Sequence, residues 1–260
     1  ESAEPSFFWH GLASRRCKSF SDTALAPTVR GSTYNSTGWG VGNPNFSGDF
    51  DARIESPTYR GGNEAAIIGY QSDGVQILSP DFKITETASG GTRGVLILAG
   101  GKNTSVVGGI IDMSGVTNTA GNAVLARDTS TILTGNVTIR GVRLVSATIG
   151  GQSVSCSITG GGISVIDCEI SGSTTSVGAA IDVVTLALFV KVVNNKIEGS
   201  WTNGIKVSIA PSGIYLVSTN HDNGSISAFT NLAIASQLVS FFNGKFSNIL
   251  SLSNVAGQNR

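Results

Sequence analysis

Charged residues are scarce in this chain. Lys, Arg, Asp and Glu make up 13 % of its 260 residues, and the two signs balance at 17 each. A nucleic-acid surface needs a basic patch or stripe, and "SRRCKSF" at 14–20 is too short to form one, so no nucleic-acid partner is expected. Cysteine is scarce too. Cys17, Cys156 and Cys168 follow no CxxC or zinc-finger spacing, and three thiols cannot all pair within one chain. That excludes a disulfide framework and predicts free or buried thiols. Only His10 and His221 carry imidazole, and no HExxH, P-loop, Ser-His-Asp order or dinucleotide fingerprint is present. Neither a metal nor a cofactor is expected. The longest apolar run, "AAIDVVTLALFVKVV", is broken by Asp182 and Lys191, so no membrane insertion is expected. The chain opens with Glu1 rather than Met, as a processed or trimmed N-terminus would, and no signal peptide is visible at its start.

What the chain has instead is glycine, 34 of it, with much Ser, Thr and Asn between β-branched residues. That composition predicts an all-β chain with many turns. It also repeats. "VVNNKI" at 192–197 is matched by "VVGGII" at 106, "IRGVRL" at 139, "VIDCEI" at 165, "LVSTNH" at 216 and "FFNGKF" at 241. A spacing near 25 residues that holds several short strands describes one turn of a solenoid.

The repeat reads column by column. Val106, Ile139, Val165, Val192, Leu216 and Phe241 are all apolar, and the residues two before them nearly so. Side chains two apart share a face of a strand, so both columns are expected inside. The next corner column holds Gly108, Gly141, Asp167, Asn194, Ser218 and Asn243, residue types most of which tolerate a left-handed backbone. Beyond it Ile111, Leu144, Ile170, Ile197, His221 and Phe246 point inward again. A third strand precedes each block: "VLIL" at 95, "AVLA" at 123, "SVSCSI" at 153, "AIDVV" at 180, "IKVSI" at 205 and "LAIAS" at 232.

Three strands per turn predict an all-β, right-handed parallel β-helix of about six to eight rungs stacked about 4.8 Å apart, the hand following from the general preference of parallel crossovers. "DARIES" and "AAIIGYQSDGVQIL" read as less regular early rungs. The expected division is a loop-rich N-terminal cap or attachment segment at 1–50, the β-helix at 51–250 and a polar tail at 251–260.

Two outward columns carry the functional expectations. Val107, Ile166, Val193, Val217 and Phe242 form an apolar stripe, interrupted by Arg140, that predicts a parallel oligomer interface, most simply a trimer. Glu198 and Asp222 fall in one column on neighbouring rungs, about 5 Å apart, a spacing that suits a pair of catalytic carboxylates. Trp201 is placed to offer a stacking face for a sugar ring. The same two acids also fit a plain solvated column. Arg143, Glu169 and Lys196 alternate in sign and read as a surface charge ladder.

"GISVIDCEISGS" and "LFVKVVNNKIEGSWTNGI" resemble the pectate-lyase-like parallel β-helix repeats found in bacteriophage tailspikes, polysaccharide lyases and hydrolases, and some adhesins. The resemblance spans about 90–250. It implies a virion component, a trimeric tailspike or fibre-like protein that contacts host surface polysaccharide and joins other tail or capsid proteins through its N-terminal segment. The rival expectations are a secreted or virion-borne glycoside hydrolase or lyase, and a structural decoration or cement protein. Asp112, Asp167 and Glu169 do not reproduce the acidic calcium cluster of pectate lyases, so no metal ligand carries over.

Overall fold

The computed structural model describes residues 28–30, 33–36, 45–47, 51, 53–61, 64–69, 72–85, 93–97, 101–117, 121–128, 132–146, 152–172, 178–184, 187–208, 215–222, 226, 228–232 and 238–241. These form strands alone, with no helix among them. The chain coils through β1 (Thr28–Arg30), β2 (Thr33–Ser36) and β3 (Asn45–Ser47), then β4 (Arg53–Glu55), β5 (Thr58–Gly61) and β6 (Glu64–Gly69). It continues through β7 (Gln76–Leu78), β8 (Asp81–Ile84) and β9 (Arg93–Ile97), then β10 (Thr104–Val107), β11 (Ile110–Asp112) and β12 (Asn122–Arg127). Next come β13 (Val137–Arg140), β14 (Arg143–Val145) and β15 (Val154–Ser157), then β16 (Ile163–Ile166), β17 (Glu169–Ser171) and β18 (Ala179–Val183). The last are β19 (Val190–Val193), β20 (Lys196–Glu198), β21 (Asn203–Val207), β22 (Tyr215–Ser218), β23 (His221–Asp222), β24 (Ala228–Leu232) and β25 (Leu238–Phe241).

Every third strand pairs in parallel with the one a turn away, giving sheets of nine, eight and eight strands. This is the parallel β-solenoid that the repeat predicts. The stack begins earlier than residue 51, because β1, β2 and β3 already pair with β4, β5 and β6. Residues 1–27 and the tail 251–260 lie outside the described residues. In the third sheet five of the six expected strands overlap observed ones, β21 starting at Asn203 rather than Ile205. The sixth, β24 at Ala228–Leu232, precedes most of "LAIAS".

The first sheet shows why these residues make strands. In β19, Val190 and Val192 are buried, Lys191 is exposed and Val193 is half-buried. That alternation follows from the two-residue period of a strand. Val106, Ile139, Val165 and Val192 stand in one register column, all fully buried. The corner then needs a left-handed backbone. Gly108, Gly141, Asp167 and Asn194 have φ of 66°, 63°, 55° and 57°. The corner amides extend the ladder, with Asp167 N donating to Val193 O at 3.1 Å. The Asn194 Nδ2 donates to Asp167 Oδ1 at 2.8 Å, so the corner side chains also bond from rung to rung.

The next rung departs from the expected register by one residue. Val192 pairs with Val217, not Leu216, and Ser218 pairs with Phe241. Val217 is fully buried and Leu216 is half-buried on the outside. The corner accordingly falls on Thr219, at φ 53°, rather than Ser218. His221 pairs with Lys196 in an outward column, not with the inward Ile197.

Buried amides at the first residue past the corner account for this register. Asn195 and Asn220 are both fully buried. Asn220 Oδ1 accepts from Asn195 N at 3.0 Å and from Asn195 Nδ2 at 2.8 Å, and Asn220 Nδ2 donates to Val192 O at 2.9 Å. One rung earlier, Asn195 Oδ1 accepts from Cys168 N at 2.9 Å. Asparagine is used here because its side chain both donates and accepts, so it can satisfy backbone groups on two rungs at once. Cys156 and Cys168 are free and buried, as expected of these thiols. Burial pushes their pKa values up to about 12 and about 11, far from a reactive thiolate.

Candidate functional site

The one-residue slip takes apart the expected carboxylate pair. Asp222 pairs with Ile197, so it stands one position away from the column that holds Glu198. Glu198 is half-buried, and its Oε1 lies 2.7 Å from Lys196 Nζ on the same strand. The carboxylate holds the Lys196 pKa above its ordinary value. Same-face neighbours two apart on an open strand make such a pair without any ligand.

Trp201 offers no sugar platform. It is 1 % exposed, and its Nε1 donates to Glu198 O at 2.9 Å. Gly172, one rung back, makes the space: a Cβ there would stand 2.5 Å from the indole Cε2. Burying the ring and satisfying its one N–H fits a structural role. The feature that invited the other reading, an aromatic just after an acid, carries no information about which way the ring turns.

Val107, Ile166 and Val193 do lie half-buried on the outer side of the first sheet, and Leu78 joins their column. Arg140 interrupts it, with Nε 3.6 Å from the Asp167 carboxylate. Val217 belongs to the core instead, for the register reason above, and Ser218 takes its place in the column. Phe242 lies outside the described residues.

The outer face of the second sheet is open and polar. Asp81, Ile110, Arg143, Glu169 and Lys196 follow one another in register, and Asp112, Val145, Ser171 and Glu198 form the column beside them. The alternating charges of Arg143, Glu169 and Lys196 stand in register as the repeat predicts, and His221 follows Lys196. Such a face can donate to and accept from hydroxyl groups along the stack. Among the described residues, no group of three His, Cys, Asp or Glu side chains is placed to hold a metal.

The third sheet holds a polar row that column reading passed over. Asn122 Nδ2 donates to Gln152 Oε1 at 3.0 Å, and Gln152 Nε2 donates to Asp182 Oδ2 at 3.4 Å. Lys206 follows Asp182 in register. The signal was available: Asp182 is a lone acid inside "AIDVV", one repeat before the lysine of "IKVSI". Asp182 is buried and its Oδ1 has no hydrogen-bond partner. Removal from water raises its pKa, while Lys206 and the Gln152 amide lower it in part.

Compared with known proteins, the chain matches no family model, no curated protein and no solved structure.

Proposed function

We propose that the protein is a binding solenoid of a bacteriophage virion, a tailspike or fibre-like trimer whose open second sheet contacts host surface polysaccharide. The observation that carries this reading is the outer face of the solenoid. Leu78, Val107, Ile166 and Val193 lie half-buried in one outer column, interrupted by Arg140, beside an open polar sheet. The apolar column suits burial against a second copy, and the polar sheet suits hydroxyl-rich chains. The N-terminal segment would join other tail or capsid proteins. Binding is favoured over cleavage, because Glu198 is engaged by Lys196, Asp222 stands outside its column and Trp201 is interior.

A second reading, a structural decoration protein, draws on the rung-to-rung use of polar side chains. Asn103 Nδ2 donates to Asp73 Oδ1, Asn136 Nδ2 to Asn103 Oδ1, and Asn194 Nδ2 to Asp167 Oδ1. Light scattering on the wild type and on Val193→Lys tests the assembly, and a retention assay on immobilised bacterial surface polysaccharides tests the contact. The expected result is a trimer that the lysine dissociates, with retention reduced by Lys196→Ala and no reducing ends released. A micromolar monomer removes the trimer, and absence of retention on every polysaccharide favours the decoration reading. Release of reducing ends restores the enzyme.

A further inference from the structure

Asp182 lies between Ile181 and Val183, both fully buried core residues, so strand alternation turns its side chain to the outer face of the third sheet. It is nonetheless only 5 % exposed. Its Oδ1 has no hydrogen-bond partner, and its Oδ2 receives the Gln152 amide at a long 3.4 Å. Gln152 is not free to offer more. Its Oε1 accepts from Asn122 Nδ2 at 3.0 Å, and the same nitrogen reaches the Gln152 backbone carbonyl at 3.2 Å, which fixes the amide with its NH2 toward Asp182. An ionised carboxylate in this seat has given up its water for one weak bond.

The charges around it do not remove that cost. On β21, Lys206 is in register with Asp182 but forms no ion pair with it. On β15, the residue in register is Ser155, which brings no charge. Arg127 on β12 is two rungs back and one outer column further along.

We propose that Asp182 is an acid-closed latch on the third sheet: its carboxyl seats beneath the outer face as the neutral acid, and ionisation loosens β18 from β15 and β21. Burial raises the folded-state pKa above the unfolded one. The folded chain therefore holds this proton more tightly. The stability so gained is complete below the ordinary carboxyl range and is lost as pH rises through the folded pKa.

The test uses Asp182→Asn, which keeps the shape and removes the ionisation. Denaturation midpoints of both proteins are measured from pH 4 to 8 at one protein concentration, with hydrogen exchange at each end of the range. The wild-type midpoint should fall relative to the variant as pH rises. Amides of β15, β18 and β21 should exchange faster in the wild type at the upper end, with those of β10, β13 and β16 unchanged. Lys206→Met should move the wild-type transition to higher pH, because it removes the cation that favours ionisation. A midpoint difference that stays constant with pH overturns the proposal. So does faster exchange spread evenly over all three sheets, and so does a Lys206→Met transition that stays put or moves to lower pH.

Discussion

The rung that carries β19 and β20 and the rung that carries β22 and β23 solve the same corner differently. In the first, Asn194 takes the left-handed position at φ 57°, a conformation its side chain tolerates. In the second, Thr219 takes it at φ 53°, where a β-branched residue is an outlier. Ser218, one residue earlier, would be less crowded there. The chain nevertheless keeps Ser218 in the strand. What it gains is internal: Val217 enters the core column and Asn220 lands on Asn195. A slip of one residue would turn every side chain of the strand to the other face. Interior demands set the register here, and the corner accepts the residue that register delivers.

The widest gap between the two alternatives appears when a charge is placed in the core. Val192→Asp should cost more than about 4–5 kcal/mol, because it buries an unpaired carboxylate in a dry column. Val217→Asp should do the same. Leu216→Asp should be mild, within about 1 kcal/mol, since Leu216 sits half-buried on the outer side. Thermal unfolding followed by circular dichroism separates the cases. Loss of the fold in Leu216→Asp with retention in Val217→Asp would reinstate the unshifted register.

The amide ladder should respond next. Asn220→Ala deprives two Asn195 donors and the Val192 carbonyl of their partner in a fully buried place. Each such group costs about 1–3 kcal/mol when left unpaired, so a loss of about 2–5 kcal/mol is expected. Asn194→Ala is the matched control. Its amide bond to Asp167 is exposed, and the main cost is alanine in a left-handed backbone, about 1–2 kcal/mol. Denaturant midpoints for both should rank Asn220 well above Asn194, and equal losses would remove the special role of the buried amide.

This contrast also marks what was legible beforehand. The three-sheet solenoid and the corners at Gly108, Gly141, Asp167 and Asn194 could be read because apolar alternation and corner chemistry coincide there. At 215–222 they diverge. "YLVS" is apolar at adjacent positions 216 and 217, so alternation cannot choose between Leu216 and Val217, and Ser218 looks the better corner. The choice rests on Asn220, and nothing in its residue type signals that it is fully buried. The candidate site inherited that error through Asp222. The interior place of Trp201 and the burial of Asp182 escape sequence reading for a related reason. Residue type predicts neither the glycine cavity that swallows an indole nor the cover that hides an outward carboxylate.

The smallest effect is the most discriminating. If Thr219 bears the corner strain, Thr219→Asn should stabilise the protein by about 0.5–1 kcal/mol, because asparagine occupies the left-handed region more readily than a β-branched residue. Its amide would also stand where Asn194 stands one rung earlier, within reach of the rung below. Against this, the bond from Thr219 Oγ1 to Ser218 O at 2.8 Å is lost, which keeps the expected gain modest. Ser218→Asn is the opposing variant. Ser218 lies in the strand and is only 9 % exposed, so a larger amide there meets packed surroundings and should destabilise. At about 2–4 °C per kcal/mol for a domain of this size, the two variants should shift the unfolding midpoint in opposite directions. A rise for Ser218→Asn with a fall for Thr219→Asn would put the corner at residue 218 and return Leu216 to the core.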